Sequence, residues 1–200
     1  MHLGVDTELF RPLPETEREP HRLMTTASAD APLKGLSVLL HAIASLRSSY
    51  PDIRLTLVGR PNPGGDTEKL IVSLGLEDVV ESCKGISHEE MVQKYASASV
   101  AVVPSIYEGF GLPAVEAMAC GVPLVSTDGG ALAEVVEDAG LVVPSGDSDA
   151  LAAAIRQLFE DDQLRDDYAS RGLSRAEHHF CWNRCGERME AYYRERIAAC

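Results

Sequence analysis

Residues 104–116 have a composition that an ordinary connecting loop does not need. They read PSIYEGFGLPAVE and stand between an apolar run, SVAVV, and a predicted helix that starts at Leu112. Glu108 falls just after the predicted strand, and glycines on both sides of Phe110 allow a ligand to approach the backbone closely. Pro113 suits the first turn of the helix, whose free N–H groups and dipole favour an anionic group such as a diphosphate. The stretch therefore predicts a binding loop for an anionic ligand.

Two carboxylates frame this loop. Glu116 comes eight residues after Glu108, and we expect it in the first helical turn. A carboxylate there could accept two hydrogen bonds from adjacent sugar hydroxyls, or it could simply complement the helix dipole, and the sequence leaves both open. Glu108, at the end of a strand, is harder to explain as a helix cap, which favours a binding role.

A cation stands after the first predicted strand. The segment SADAPLKG places Lys34 at the start of the next helix, where a positive charge opposes the helix dipole. Lys34 is well placed to neutralise a phosphate at that position, and a solvated side chain that turns away is the alternative. Arg60, in the Gly- and Pro-rich loop GRPNPGGD, could face the same crevice or be an ordinary surface arginine. The loop KGISH over 84–88 could bind a nucleobase edge through its backbone groups. The loop TDGG over 127–130 could help to line the pocket.

The elements that position these loops alternate between strand and helix. Six short apolar segments without clean alternation predict strands at 22–27, 53–58, 79–82, 100–103, 123–126 and 141–143. Helices are predicted at 35–48, 67–74, 88–96, 112–119, 131–136, 149–159, 163–178 and 182–198. This order predicts an α/β fold with a doubly wound, parallel six-stranded sheet and two extra C-terminal helices. Ligands of such sheets bind beyond the carboxyl ends of the strands, where the candidate residues fall.

The chain divides into three predicted parts. Residues 1–21, polar and containing three prolines, read as an N-terminal linker. Residues 22–180 form a Rossmann-like domain that binds the ligand, and 181–200 form the last helix. The length of 200 residues suffices for one full domain.

The composition narrows the classes of partner. A formal net charge of −13 disfavours nucleic acid and anionic lipid surfaces. No apolar run is long enough for a transmembrane segment, and no signal peptide is recognisable. The five cysteines form no disulfide framework, so we expect a cytoplasmic location. His178, Cys181 and Cys185 would share a face of one continuous helix, but a zinc site would want a fourth ligand, so no metal is predicted.

Nearly the whole chain resembles the C-terminal domain of retaining GT-B glycosyltransferases, in the large glycosyltransferase family 4 (group 1). GVDTELFRP resembles that family's passage into its second domain, and LKGLSVLLHAI its Lys-Gly helix start. EGFGLPAVEAMACGVPLVSTDGG resembles its E-x7-E motif and the residues that follow it. The extended string is specific, whereas two glutamates at this spacing alone would be weak.

The resemblance implies a role for each candidate. Glu108 and Lys34 would be catalytic: Glu108 would contact the donor sugar beside the reacting carbon, and Lys34 would stabilise the departing diphosphate. Glu116 would hold the ribose of a nucleoside diphosphate sugar, which is a donor substrate, so no cofactor is implied. Metal independence is implied too, and the sequence has no Asp-x-Asp motif. Backbone amides for the sugar and diphosphate would come from Gly109, Phe110, Gly111 and Leu112.

The chain departs from the family's pattern in two respects. The family usually has an arginine five residues before the Lys-Gly lysine, and Ala29 stands there; Thr25, Thr26, Ser28 or Arg60 could replace its contacts. Only the second of the family's two domains is recognisable, so the acceptor would be bound by an absent N-terminal domain. We therefore expect little activity from this chain alone, and apolar surface on the last helix at Tyr192, Tyr193 and Ile197.

Three rival functions differ in class or chemistry. A non-catalytic, glycosyltransferase-like binding module is conceivable because of Ala29, and a nucleotide-sugar epimerase shares the GT-B fold. A dehydrogenase half is disfavoured because SADAPLKG replaces G-x-G-x-x-G after the first strand.

Overall fold

A computed structural model of the chain describes residues 3–27 and 30–198. Its six strands are β1 (Glu19–Thr26), β2 (Arg54–Val58), β3 (Val80–Cys83), β4 (Ala98–Val103), β5 (Leu124–Thr127) and β6 (Leu141–Val143). All pairs are parallel, and the strand order is β3-β2-β1-β4-β5-β6. This is the doubly wound order, and it confirms the predicted fold class. The order reverses between β1 and β4, so a crevice is expected at their carboxyl ends.

Eight α-helices connect and cover the strands in the described part of the chain. They are α1 (Leu36–Leu46), α2 (Asp66–Ser73), α3 (His88–Ser97), α4 (Leu112–Ala119), α5 (Leu132–Val136), α6 (Ser148–Glu160), α7 (Asp162–Arg175) and α8 (Trp182–Ala198). A short 3-10 turn, Pro32–Lys34, precedes α1, and a π-helical segment, Ala176–Phe180, follows α7. Among the described residues, no helix combines the length and apolar character needed to cross a bilayer.

The sheet separates two apolar layers. On one face, α1, α2 and α6 cover Leu23, Leu55 and Val100. On the other face, α3, α4, α5 and the π-helical segment pack against Met24 and Ala101. Every residue of β4 is buried, because a central parallel strand is covered on both sides. The unbroken apolar runs read from the sequence are the consequence of this two-sided burial.

The N-terminal segment is more closely packed than a linker. The strand β1 begins at Glu19, within the predicted linker, and Val5 and Phe10 lie in the apolar core. Val5 also pairs with the backbone on either side of Cys181: its N–H donates to Phe180 O at 2.7 Å, and its carbonyl accepts from Trp182 N at 3.3 Å. The N-terminal segment therefore lies beside the start of α8.

The C-terminal helices differ in detail from the prediction. The helix expected at 163–178 ends as an α-helix at Arg175 and continues as the π-helical segment. Cys181 is extended, with ψ of 146°, and separates this segment from α8. The single helix on which His178, Cys181 and Cys185 would share a face is therefore not formed. Within residues 3–27 and 30–198, no group of three or more potential metal ligands comes together.

Candidate functional site

An open cavity of about 550 Å³ lies at the carboxyl ends of β1, β2 and β3. It stands beside the point where the strand order reverses, which is where doubly wound sheets bind ligands. Three of its lining residues are cations, in a chain whose net charge is −13. The principal lining residues are Thr26, Lys34, Arg60, Cys83, Lys84 and Pro113.

The sequence predicted Lys34 at the start of α1. In the structure, Lys34 reaches the cavity from the 3-10 turn that precedes α1. The helix begins at Leu36, after Gly35 with φ of +63°. A Cβ on Gly35 would lie 1.8 Å from the carbonyl oxygen of Pro104, so only glycine fits between the two loops. The turn is also fixed by a hydrogen bond from Ile106 N to Leu33 O at 2.8 Å. Lys34 is thus held against the loop that carries Glu108.

Lys34 and Glu108 form an ion pair, with Nζ 2.8 Å from Oε2. The Glu108 side chain is 14% exposed, and its Oε2 also accepts a hydrogen bond from Ser105 Oγ at 3.3 Å. The two residues predicted to be catalytic are 74 positions apart in the chain and meet directly in the fold. Because each group has a charged partner, both side chains are fixed before any ligand binds.

The Glu108 loop rests on the loop over residues 127–130. A Cβ on Gly130 would lie 2.3 Å from the carbonyl oxygen of Glu108, and Ala131 N donates to that oxygen at 3.0 Å. The hydroxyl of Thr127 donates to Ser105 O. The sequence suggested that this segment lines the pocket. The structure shows a support beneath Glu108, which needs a glycine at 130.

Phe110 does not project into solvent as an exposed aromatic. It is half-buried and packs edge-on against Phe180, with ring centroids 5.8 Å apart at 74°. Gly109, which precedes Phe110, is exposed. Gly111 precedes α4 with φ of +101°, and Leu112 is the first helical residue. As a residue Gly111 is buried, whereas Gly109 leaves the start of the turn open to a ligand.

The helix α4 starts at Leu112, as predicted, but Glu116 is its fifth residue and lies just beyond the first turn, which holds no acidic residue. Complementing the dipole from the first turn is therefore not its role. Burial raises the pKa of its carboxyl to about 6, and a hydrogen bond from the Tyr95 hydroxyl at 3.3 Å opposes that rise. The same hydroxyl lies 3.3 Å from Pro113 O, so Glu116 stands just behind a residue that lines the cavity.

Arg60 and Lys84 complete the positive side of the cavity. Arg60 follows β2 on an exposed loop, and Lys84 follows β3 and is also exposed. Of the two alternatives for Arg60, a residue facing the crevice or an ordinary surface arginine, the structure places it in the cavity lining. Lys84 was missed as a cation, although its position directly after a strand could have identified it. Ser28 and Ala29 lie outside the described residues, and among the described ones the buried hydroxyl of Thr26 makes no hydrogen bond.

A doubly wound sheet with a cationic crevice at its switch point defines a class of α/β domain that binds its ligand across strand ends. The particular family follows from comparison with known proteins: the sequence model for glycosyl transferases group 1 matches residues 12–175. The chain belongs to this family.

Relatives and solved structures agree with this assignment. The chain is 46% identical to an MMP alpha-(1->4)-mannosyltransferase of Mycolicibacterium hassiacum, over 99% of this chain and 49% of that protein. It superposes with a sucrose-phosphate synthase of Thermosynechococcus elongatus at a TM-score of 0.81 and 32% identity, covering 99% of this chain and 52% of that one. With Anabaena HepE in complex with UDP, the TM-score is 0.81 and the sequence identity is 25%. That superposition covers 98% of this chain and 56% of HepE. The chain spans about half the length of these proteins, and its fold is that of a GT-B domain.

Proposed function

We propose that the chain is the donor-binding domain of a retaining glycosyltransferase that moves a sugar from a nucleoside diphosphate sugar to an acceptor hydroxyl. The observation that carries this proposal is the Lys34–Glu108 ion pair beside a cavity with two further cations. Membership of the group 1 family and the similarity to a mannosyltransferase support it. So does the similarity to a protein solved in complex with UDP.

The proposed chemistry places one task on each part of the site. The bond between the anomeric carbon and the diphosphate oxygen breaks, and the acceptor oxygen bonds to the same face of the sugar. The diphosphate leaves with the electron pair, and its departing oxygen takes up the proton of the acceptor hydroxyl. Lys34 and Arg60 stabilise the charge of the diphosphate in place of a metal ion. Glu108, held by its ion pair with Lys34, accepts hydrogen bonds from the sugar near the reacting carbon.

The remaining donor contacts come from the α4 end of the loop. The backbone of Gly109 and its neighbours Phe110, Gly111 and Leu112 would donate N–H groups to the sugar and diphosphate. Glu116 would accept hydrogen bonds from the ribose hydroxyls. Its partial burial and its position behind Pro113 support this role, because the one hydrogen bond from Tyr95 leaves further acceptor capacity on the carboxylate for a ligand.

The acceptor site belongs, in this proposal, to another part of a longer protein, so the chain alone should turn over little substrate. The length of the similar proteins supports this assignment of the acceptor site, because the chain covers about half of each. Large apolar side chains exposed on α8 are consistent with a helix that crosses to a second domain. They include Tyr192, Tyr193 and Ile197, the last 76% exposed. A cytoplasmic location is proposed too, supported by four cysteines that are free in the described part of the chain.

Titration calorimetry of the 200-residue chain tests the proposal. UDP, GDP and ADP, and the mannose and glucose donors built on them, are titrated with and without EDTA. We expect at least one to bind, with EDTA having no effect, and Lys34→Ala and Glu116→Ala to weaken binding at least tenfold. Lys69→Ala, an exposed lysine on α2, is the matched control. Absence of binding by every nucleotide, or equal binding by all variants, would refute the proposed donor site.

Turnover separates this function from its rivals. The longer, two-domain protein should transfer sugar to an acceptor and keep the anomeric configuration, which NMR of the product reports. An epimerase would change the sugar without an acceptor, and a non-catalytic module would bind the donor without consuming it.

A further inference from the structure

Asp30 connects two loops of the cavity through its carboxylate. It lies between β1 and the turn that carries Lys34, and it accepts hydrogen bonds from the backbone of the loop after β2. Its Oδ2 accepts from Asn62 N at 2.9 Å, and its Oδ1 accepts from Thr67 N at 3.0 Å. These bonds join segments more than 30 residues apart, so Asp30 ties the turn that carries Lys34 to the segment that follows β2.

The local sequence explains why this carboxylate is needed. The residue that precedes α2 is Gly65, which has no side chain to cap the free N–H groups of the helix. Asp30 supplies the cap from the neighbouring loop. A Cβ at position 65 would lie 2.8 Å from Asp30 Oδ2, so glycine there permits the close approach. The hydrogen bonds from Thr67 and Asn62 lower the pKa of Asp30, because they favour its charged form.

Each of the joined loops carries a cation of the cavity. Lys34 follows Asp30 by four residues, and Arg60 precedes Asn62 by two, and both side chains line the same cavity. Lys34 is fixed by Glu108, whereas Arg60 lies on an exposed loop. We infer that Asp30 is a positioning residue for the donor diphosphate, because it holds the Arg60 loop opposite Lys34. This inference rests on the proposed donor site and adds a residue that touches neither sugar nor phosphate.

A double-mutant cycle on nucleotide binding tests the inference. Dissociation constants of UDP, GDP and ADP are measured by calorimetry for the unmodified chain, Asp30→Ala, Arg60→Ala and the double variant. If Asp30 acts through Arg60, Asp30→Ala should weaken binding on the order of tenfold, and the same change made in Arg60→Ala should weaken it no further. Asp30→Asn, whose amide oxygen can still accept one of the two hydrogen bonds, should have a nucleotide affinity between those of the unmodified chain and Asp30→Ala.

A stability control separates positioning from simple helix capping. Asp161 caps α7 through a hydrogen bond from Leu164 N at 2.9 Å, on a helix that does not contribute to the cavity. Asp161→Ala should lower the melting temperature about as much as Asp30→Ala and leave nucleotide binding unchanged. Independent, additive effects of Asp30→Ala and Arg60→Ala would overturn the inference while leaving the donor site intact. Failure of the unmodified chain to bind any of the three nucleotides would overturn the inference together with the proposed function.

Discussion

Replacing Glu116 with glutamine should stabilise the fold and weaken the donor site at the same time. Burial raises the pKa of the Glu116 carboxyl from an ordinary 4.5 to about 6, so the folded state binds the proton more tightly than the unfolded state. Folding stability is therefore lost as pH rises through this window and is not regained above it. A shift of this size costs roughly 2 kcal/mol at neutral pH, at 1.36 kcal/mol per pKa unit.

Glutamine keeps the shape of this side chain and removes the ionisation. Its amide oxygen can still accept the hydrogen bond from Tyr95. We expect Glu116→Gln to raise the melting temperature at pH 7.5 by roughly 4–8 °C, the shift that about 2 kcal/mol produces in a domain of this size. Below pH 4.5 the two proteins should melt together, because the carboxyl is then neutral in both states.

Nucleotide affinity should follow the opposite course. If only the carboxylate holds the ribose well, binding by the unmodified chain should weaken roughly tenfold between pH 7.5 and pH 5, as Glu116 becomes neutral. Glu116→Gln should bind weakly at both pH values. The measurements are differential scanning calorimetry from about pH 3.5 to pH 8 and nucleotide titration from pH 5 to pH 8.

Glu177→Gln is the matched control for this experiment. It removes one negative charge from an exposed position in the π-helical segment. It should change neither the melting temperature at pH 7.5 nor the affinity. A Glu116→Gln stabilisation that is equal at pH 4.5 and pH 7.5 would refute the electrostatic explanation. Unchanged nucleotide affinity in that variant would refute the ribose contact.

Two further variants test the geometry of the cavity. Gly35→Ala should lower the free energy of unfolding by roughly 3 kcal/mol or more, because its Cβ would strike the carbonyl of Pro104. Gly64→Ala, at φ of +72° in open space, should lower it by only about 1–2 kcal/mol. Urea unfolding of both variants measures the difference. Lys84→Ala should weaken nucleoside diphosphate binding several-fold and flatten its salt dependence, and an effect no larger than that of Lys69→Ala would contradict a role for Lys84 in the cavity.

The order of strands and helices could be predicted from the sequence because a parallel sheet covered on both faces leaves unbroken apolar runs. The exact ends of strands could not be predicted from the sequence where those ends consist of polar residues. The strand β1 begins at Glu19, three residues before the predicted start, because Glu19 pairs with Ala98 of β4 through backbone groups that any side chain permits. The positive φ of His21 falls inside this extension, where the register shifts, and local propensity gives no sign of it.

The candidate site divides in the same way between local and tertiary causes. Lys34 and Glu108 could be found because each follows a strand whose end faces the crevice. The partners behind them could not be read locally: Phe110 is covered by Phe180, which lies 70 residues further along the chain. Asp30 is one residue in a loop, and only the fold reveals the helix it caps.

The net charge of −13 and an anionic ligand are compatible because the two act over different distances. Charges spread over the surface are screened within about 8–10 Å at physiological ionic strength, so they act weakly on a diphosphate inside the crevice. There, the nearest charges are Lys34, Arg60 and Lys84, with Glu108 already paired to Lys34. That pairing leaves Arg60 and Lys84 as the uncompensated cations of the cavity lining, which is why the placement of the Arg60 loop by Asp30 should matter for affinity.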